Sequence, residues 1–276
     1  MRIQEFTCFG TESGGGNPAL VIEDGPAGLE QRLVLARERA LTCVFIDAPA
    51  ERGTAACLDF VYPHMRSPLC LHATLAAAQV LFERHGSATP LTVTTAMRGQ
   101  RLTLSWDDAA LFVELARQDV PQVEVDDGLA ARLLAAPKLQ LSSAPRIASV
   151  GSPKLLLEVA DTDTLRRLTP DLASIAAWSQ EHGVNGCYAW CRTGDAEYEG
   201  RNFNHLDPLL EDSATGVAAG ALTVLLGHGL TLRQGRSTGR DCLIRTRLEG
   251  DVVFVGGRVR NEANAWPNPA CTGANS

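Results

Sequence analysis

Pro68-Leu69-Cys70-Leu71-His72-Ala73-Thr74 runs without a break into Leu75 to Gly86. A thiol and an imidazole stand two residues apart, directly before an Ala-rich stretch. Neither Pro nor Gly interrupts Ala73 to His85, and Ala, Leu, Gln, Glu and Arg are good helix formers. Gly86 is a natural stop, and Thr89-Pro90 confirms the exit. The pattern predicts a helix from Ala73 with Cys70 and His72 at its N-terminus. Free N–H groups and the positive end of the helix dipole favour an anion or a thiolate there.

The pattern returns later in the chain. Ala214-Thr215-Gly216-Val217-Ala218-Ala219 opens like Ala73-Thr74, and His228-Gly229 closes it as His85-Gly86 closes the first. The offset is 141 residues at the start (214 − 73) and 143 at the end (228 − 85), close to half of 276. Matched ends at a half-chain offset favour an internal duplication. Glu211-Asp212-Ser213 precedes the second helix as Cys70-Leu71-His72 precedes the first. Two helix starts with proton-active side chains would then face one cleft.

The rest of the chain fits two such halves. The length suits two domains of about 130 residues. Boundaries are expected at 1–117 and 118–262, with the tail 263–276 joining the first half. The net charge of −7 and the lack of a basic run argue against nucleic acid. No apolar run approaches the roughly 18 residues of a membrane-spanning helix. Met1 to Phe6 reads as a strand rather than a signal peptide, so a cytoplasmic location is expected. The 8 cysteines are scattered, and the chain is large enough to do without staples, so they read as free, mostly buried thiols. Cys187 and Cys191 lack a second pair to complete a zinc site, and no metal is expected.

Short strands with turn signals surround the two helices. Arg2 to Phe9, Ala19 to Ile22, Cys43 to Ile46, Leu58 to Tyr62, Leu91 to Thr95, Arg101 to Trp106 and Leu111 to Leu115 read as strands in the first half. Leu29 to Arg39 reads as a helix. The second half gives strands at Pro145 to Val150, Lys154 to Val159, Cys187 to Cys191, Tyr198 to Asn204, Leu243 to Leu248 and Asp251 to Val255. Helices are expected at Asp126 to Leu134, Asp161 to Leu168 and Asp171 to Glu181. Gly14-Gly15-Gly16-Asn17-Pro18 reads as a hairpin connection. The other reading is a loop whose N–H groups and Asn17 amide approach a ligand carboxylate. The fold class is therefore α+β, with two pseudo-symmetric curled sheets, each around one helix.

Taken in order, these motifs resemble the phenazine-biosynthesis isomerase family, PhzF-like proteins of the diaminopimelate epimerase fold. Gly16-Asn17-Pro18-Ala19 is similar to its GNPA loop. Phe60-Val61-Tyr62-Pro63, followed by Pro68-Leu69-Cys70-Leu71-His72-Ala73-Thr74-Leu75, resembles its FTP and PLCGHATL segments. Arg201-Asn202-Phe203 and Glu211-Asp212-Ser213-Ala214-Thr215-Gly216 resemble RxF and EDPATG. Gln234-Gly235, Gly239-Arg240 and Gly256-Gly257-Arg258 resemble its C-terminal glycine motifs. The resemblance spans nearly the whole chain. It implies two barrel-like halves with the active site between them. It places His72 and Asp212 at two active-site positions. Asn17 and the N–H groups of Gly216 and Val217 would hold substrate, with Thr42 and Thr215 beside them. It implies a small carboxylated substrate and no cofactor; a homodimer is compatible with it.

The departures bear on the chemistry. Thr42 stands where the family has its principal acid/base Glu, and a threonine hydroxyl does not ionise near neutral pH. Val217 replaces a Ser, Leu71 a Gly, Arg66 a Glu and Ser213 a Pro. Three readings follow. One is a cofactor-independent isomerase-type enzyme with His72, Asp212 and Cys70 as proton carriers, acting by isomerisation, elimination or cyclisation. Another is an amino-acid racemase, epimerase or hydroxy-acid dehydratase. In related enzymes of this fold a Cys before one helix works against a Cys or Ser before the other, and Cys70 and Ser213 fall at those places. The third is a binding protein that kept the fold and lost the chemistry. Each site residue also has a plain structural reading. Cys70 packs as a small hydrophobe, His72 and Asp212 serve as helix-start groups, and Cys43 is simply buried. His64, His85, His182 and His228 read as solvated, and His205, near Arg201, is a further candidate.

Overall fold

The N-terminal hairpin sets the register of the first half. The computed structural model describes residues 1–107, 110–203 and 211–262. Strand β1 (Arg2–Gly10) pairs antiparallel with β2 (Asn17–Glu23), placing Cys8 opposite Asn17. Gly16 makes the turn possible. Its φ is +100°, and a Cβ there would lie 2.4 Å from the Thr7 Cγ2. After α1 (Leu29–Arg39), β3 (Thr42–Asp47) runs parallel to β2, and β4 (Cys57–Val61) antiparallel to β3. The two-residue β5 (Arg66–Ser67) folds back on β4. Helix α2 (Leu71–His85) follows, then the strands β6 (Leu91–Thr95), β7 (Arg101–Asp107) and β8 (Ala110–Ala116).

The second half adds α3 (Asp127–Leu133), β9 (Arg146–Ala148), β10 (Lys154–Glu158), α4 (Thr162–Arg167) and α5 (Leu172–His182). Then come β11 (Cys187–Gly194), β12 (Glu197–Phe203), β13 (Glu211–Asp212) and α6 (Gly216–Leu226). Strands β14 (Thr231–Gln234), β15 (Cys242–Glu249) and β16 (Val252–Asn261) end the described chain. Asp126, Asp161 and Asp171 each cap a helix by accepting a backbone N–H.

One hydrogen-bonded path orders the strands β1-β2-β3-β4-β6-β7-β8-β16-β15-β14-β12-β11-β10-β9. Strand β16 also pairs with β1, with Phe6 opposite Asn261. That extra pairing closes the first eight strands of the path into a ring around α2. The strands beyond β16 curl around α6 as an open arc. Alternation sorts the strand residues: Ala19 and Val21 face α2, whereas Leu20 and Ile22 face α1 on the outside. Helices α3, α4 and α5 cover the outer face of β10 to β12, burying Leu155, Leu157, Ala189 and Phe203. Helix α2 is buried almost all round, and its alanines let the ring close tightly. This is the expected α+β class, with one curl of strands around each helix, the two curls joined in one continuous hydrogen-bonded sheet.

Some boundaries differ from the sequence reading. The first helix begins at Leu71, because Cys70 is extended and its carbonyl already accepts from the Thr74 N–H (2.8 Å) and hydroxyl (2.8 Å). The second begins at Gly216, with Thr215 before it as the non-helical N-cap. The matched His-Gly closings are not equivalent. The first helix runs through His85, whereas Gly227, left-handed at φ +73°, stops the second before His228. Strands β13 and β14 carry too little alternation to be read from sequence. The final hairpin strand extends to Asn261, well past Val255, because it has partners on both sides. His205 and the tail from 263 lie outside the described residues. No helix among the described residues is long and apolar enough to cross a membrane.

Candidate active site

The two helix starts converge. A Cβ on Gly216 would lie 2.8 Å from the Leu71 Cδ1, so only glycine lets α6 begin against the first residue of α2. Neither N-cap residue, Cys70 or Thr215, makes a side-chain cap. Leu71 itself fills the junction, with 4% of its surface exposed. The Gly15-Gly16-Asn17 loop also reaches across. The Gly16 N–H donates to the Asp241 carbonyl (3.0 Å), and Arg240 donates to the Gly16 carbonyl (3.4 Å).

A cavity of about 480 Å³ opens beside this junction. Asn17, Thr42, Tyr62, His64, Asp212, Ser213 and Arg240 line it. That volume suits a small metabolite. Asn17 and Thr42 come from neighbouring parallel strands, where Ala19 stands opposite Thr42. The structure thus brings together Asn17 and Thr42 from the first half and Asp212 from the second, with Ser213 beside them.

Asp212 is the most elaborately held group. Arg201 first fixes its strand. The Arg201 guanidinium grips Glu211 through two bonds (2.9 and 2.7 Å) and donates to the carbonyls of Leu165 (2.9 Å) and Leu168 (2.8 Å). The Asp212 carboxylate then accepts from the Thr215 hydroxyl and, at 3.4 Å, from the Asn17 amide. Gln234 organises the next layer. Its amide donates to the Asp212 carbonyl (2.8 Å) and to Thr215 Oγ1 (3.1 Å). Its oxygen accepts from the Tyr188 hydroxyl (3.0 Å) and the Thr215 N–H (3.3 Å). Burial pushes Asp212 above the ordinary carboxylate pKa; the Thr215 hydroxyl, the Lys154 charge, the Ala214 N–H and Asn17 pull it back. A carboxylate held this way, on a cavity wall, can accept and return a proton.

His72 and Cys70 do not line the cavity, contrary to expectation. Both are buried, at 7% and 4% exposure, with Cys70 Sγ 3.3 Å from His72 Nδ1. Tyr62 lines the cavity and its hydroxyl reaches Cys70; burial pushes the phenol pKa well up, and the charges of Cys70 and Asp212 push it further. Thr215, Gly216 and Val217 are also off the cavity lining. Val217 sits under the loop at Gly151, where an added Cβ would meet the Val217 side chain at 3.2 Å. Ser213 lines the cavity, but its hydroxyl is bonded to that of Thr238 (2.8 Å). His64, read as solvated, is on the cavity rim beside the Tyr62 ring. Arg66 bonds Asp59 (2.7 Å), which also holds the buried Arg32, so it belongs to a structural charge cluster.

The sequence motifs assign no site role to Tyr62, His64, Gln234, Arg240 or Lys154. Tyr62 and His64 flank Pro63, whose turn brings both to the opening. Arg240 is the one cavity-lining guanidinium among the described residues. Burial raises Cys43 to about 11, Cys187 to about 12 and Cys242 to about 12, so these thiols are packing groups. No three His, Cys, Asp or Glu among the described residues are grouped to share a metal ion.

The family model described as phenazine biosynthesis-like protein matches residues 6–264. An uncharacterized isomerase of Deinococcus radiodurans is 30% identical over 255 residues, covering 86% of this chain and 80% of that protein. A predicted epimerase from Pseudomonas aeruginosa superposes with a TM-score of 0.76 at 24% identity, covering 94% of this chain and 96% of that one. A hydroxyproline epimerase from Agrobacterium vitis, solved with bound trans-4-hydroxy-L-proline, gives a TM-score of 0.61 at 11% identity, covering 94% and 90%.

Proposed function

This chain belongs to the phenazine biosynthesis-like family and has its isomerase/epimerase fold, and from that premise we propose that it moves a proton on a small carboxylated metabolite, using Asp212 as the proton-carrying group. The observation that supports this reading is the Asp212 carboxylate itself. It stands on the cavity wall with a raised proton affinity and is held on both oxygens. Substrate enters between Thr42 and Arg240. The Arg240 guanidinium holds a carboxylate, which needs a bidentate donor more than a point charge. Asp212 takes a proton from the adjacent carbon, and the Arg240 guanidinium on the cavity wall meets the charge that develops on the substrate carboxylate. The proton returns at another carbon or on another face. Thr42 leaves room for a substrate group where the family carries its Glu. His72 orders Cys70 and Tyr62 behind the wall. Incubation in deuterated water with cyclic amino and hydroxy acids tests this. Exchange that disappears in Asp212→Asn is expected; exchange unaffected by that change would overturn it.

The Cys70–His72 contact favours a second reading, a racemase or dehydratase with a thiolate base formed by the imidazole. It requires Tyr62 to swing aside. Iodoacetamide separates the two readings: loss of exchange in step with Cys70 alkylation supports the thiol, and exchange surviving full alkylation excludes it.

A further inference from the structure

Of the 25 basic residues in this chain, Lys138 and Lys154 are lysines and the remaining 23 are arginines. Lys138 is exposed. Lys154, at the start of β10, is 1% exposed. A sequence that uses arginine for surface charge has kept an ammonium in its interior. Arginine stays protonated in proteins; a lysine amine is compact and releases its proton when buried.

Strand register shows what Lys154 serves. Leu156, Tyr188, Asn202 and Asp212 stand opposite one another across β10, β11, β12 and β13, so their side chains share the inner face. Lys154 is two residues before Leu156 and shares that face. Its charge lowers the Asp212 pKa, and the Asp212 charge raises that of Lys154, so the two are within electrostatic reach. Asn202, directly beside Asp212, is fully buried, and neither polar atom of its amide meets a hydrogen-bond partner among the described residues. Its dipole is free to orient between the ammonium and the carboxylate.

We propose that Lys154 is the positioning residue for Asp212: its buried ammonium, with the Asn202 amide beside it, holds the carboxylate ionised toward the cavity. This deepens the reading of Asp212 as the proton carrier and rests on it. The other groups facing the couple are Cys187 and Tyr188 on β11, Tyr62 after β4, Cys242 on β15, and Glu211 beside Asp212. Burial holds the thiols and phenols neutral, and Glu211 is matched by Arg201. Arg240 is exposed at the cavity mouth, where solvent screens it.

The scarcity of lysine makes the test direct. Protein labelled with 15N at lysine gives two side-chain signals, assigned by the change that removes one. In the unaltered protein the Lys154 amine should titrate near 8, well below an ordinary lysine. With 13C-aspartate label, the Asp212 carboxyl should titrate about one pH unit or more higher in Lys154→Met. Lys154→Arg should restore it. Linkage requires the reciprocal result: Asp212→Asn should lower the Lys154 titration by a similar amount. A Lys154 amine that titrates in the ordinary lysine range, or an Asp212 titration unmoved by Lys154→Met, overturns the proposal. If Lys154→Met does not fold, the reciprocal measurement decides alone. Deuterium exchange is scored separately, so coupling without exchange would end the proton-carrier reading and leave the couple standing.

Discussion

The two helix starts share a sequence pattern and are furnished in opposite ways. At the first, Cys70, Leu71 and His72 are packed inside a closed ring of strands, and the Tyr62 hydroxyl reaches Cys70. At the second, the arc is open. Asp212 and Ser213 reach the cavity, and Gln234, Thr215 and Asn17 satisfy the carboxylate and its strand. Pseudo-symmetry of backbone therefore does not carry symmetry of chemistry. The closed side contributes wall and packing, and the open side holds the ionisable group.

The sharpest way to break this comparison is Asp212→Asn. Removing a general acid/base group should lower exchange by about 10²–10⁴-fold. Because the folded pKa is raised, the native state binds more protons than the unfolded state above the ordinary carboxylate range. Stability from this group is thus present in acid and lost as pH rises through the folded pKa. Asp212→Asn should therefore lose activity without lowering Tm at neutral pH, as read by calorimetry. In the intact protein the exchange rate should climb as pH rises through that same raised pKa, since the base must be ionised. A Tm falling in step with activity would mean that Asp212 is a structural residue.

Leu71→Ala tests the closed side. Truncating a buried leucine costs about 2–5 kcal/mol in urea unfolding. It should also uncover N–H groups at both helix starts, so that a small dicarboxylate stabilises the variant more than the parent. Equal stabilisation of both would show that Leu71 covers no anion-binding groups.

The convergence of these helices is legible in the amino-acid order because a helix with Ala-Thr at its start and Ala-Ala inside it appears twice, and because Asn17, His72 and Asp212 sit in ordered motifs. The fold class follows from the same repeats. What escapes is depth. Whether a side chain at a helix start faces a cavity or the core depends on a residue far along the chain. Tyr62 lines the opening and reaches Cys70 behind it, and no local pattern announces that. Lys154 escapes because a lysine at a strand start reads as a solvated end; its rarity in an arginine-rich chain is the available signal. Strand β14, with Gln234, is too short to alternate.

Gln234→Leu probes the open side more gently. It leaves the Tyr188 hydroxyl and the Thr215 N–H without their acceptor, which should cost about 1–3 kcal/mol in urea unfolding. Unchanged stability would show that the network adapts. Ser213→Ala is the smallest perturbation, because that residue is half-exposed and, among the described residues, its hydroxyl is bonded to that of Thr238. A stability change within about 0.5 kcal/mol is expected, with exchange close to that of the parent. Loss of exchange there would move the chemistry to the Cys70–Ser213 pairing.

Arg201 has a consequence for how such a protein diverges. Its guanidinium reads the main-chain oxygens of Leu165 and Leu168 rather than any side chain of α4. An anchor on carbonyl oxygens asks only that the turn persist. Exposed positions such as Asp163 and Arg167 can change identity without loosening the grip on Glu211. Mutational drift in that helix is thereby insulated from the carboxylate next to it. Saturation libraries at 163 and 167, selected for retained exchange, would show broad tolerance there and almost none at Arg201.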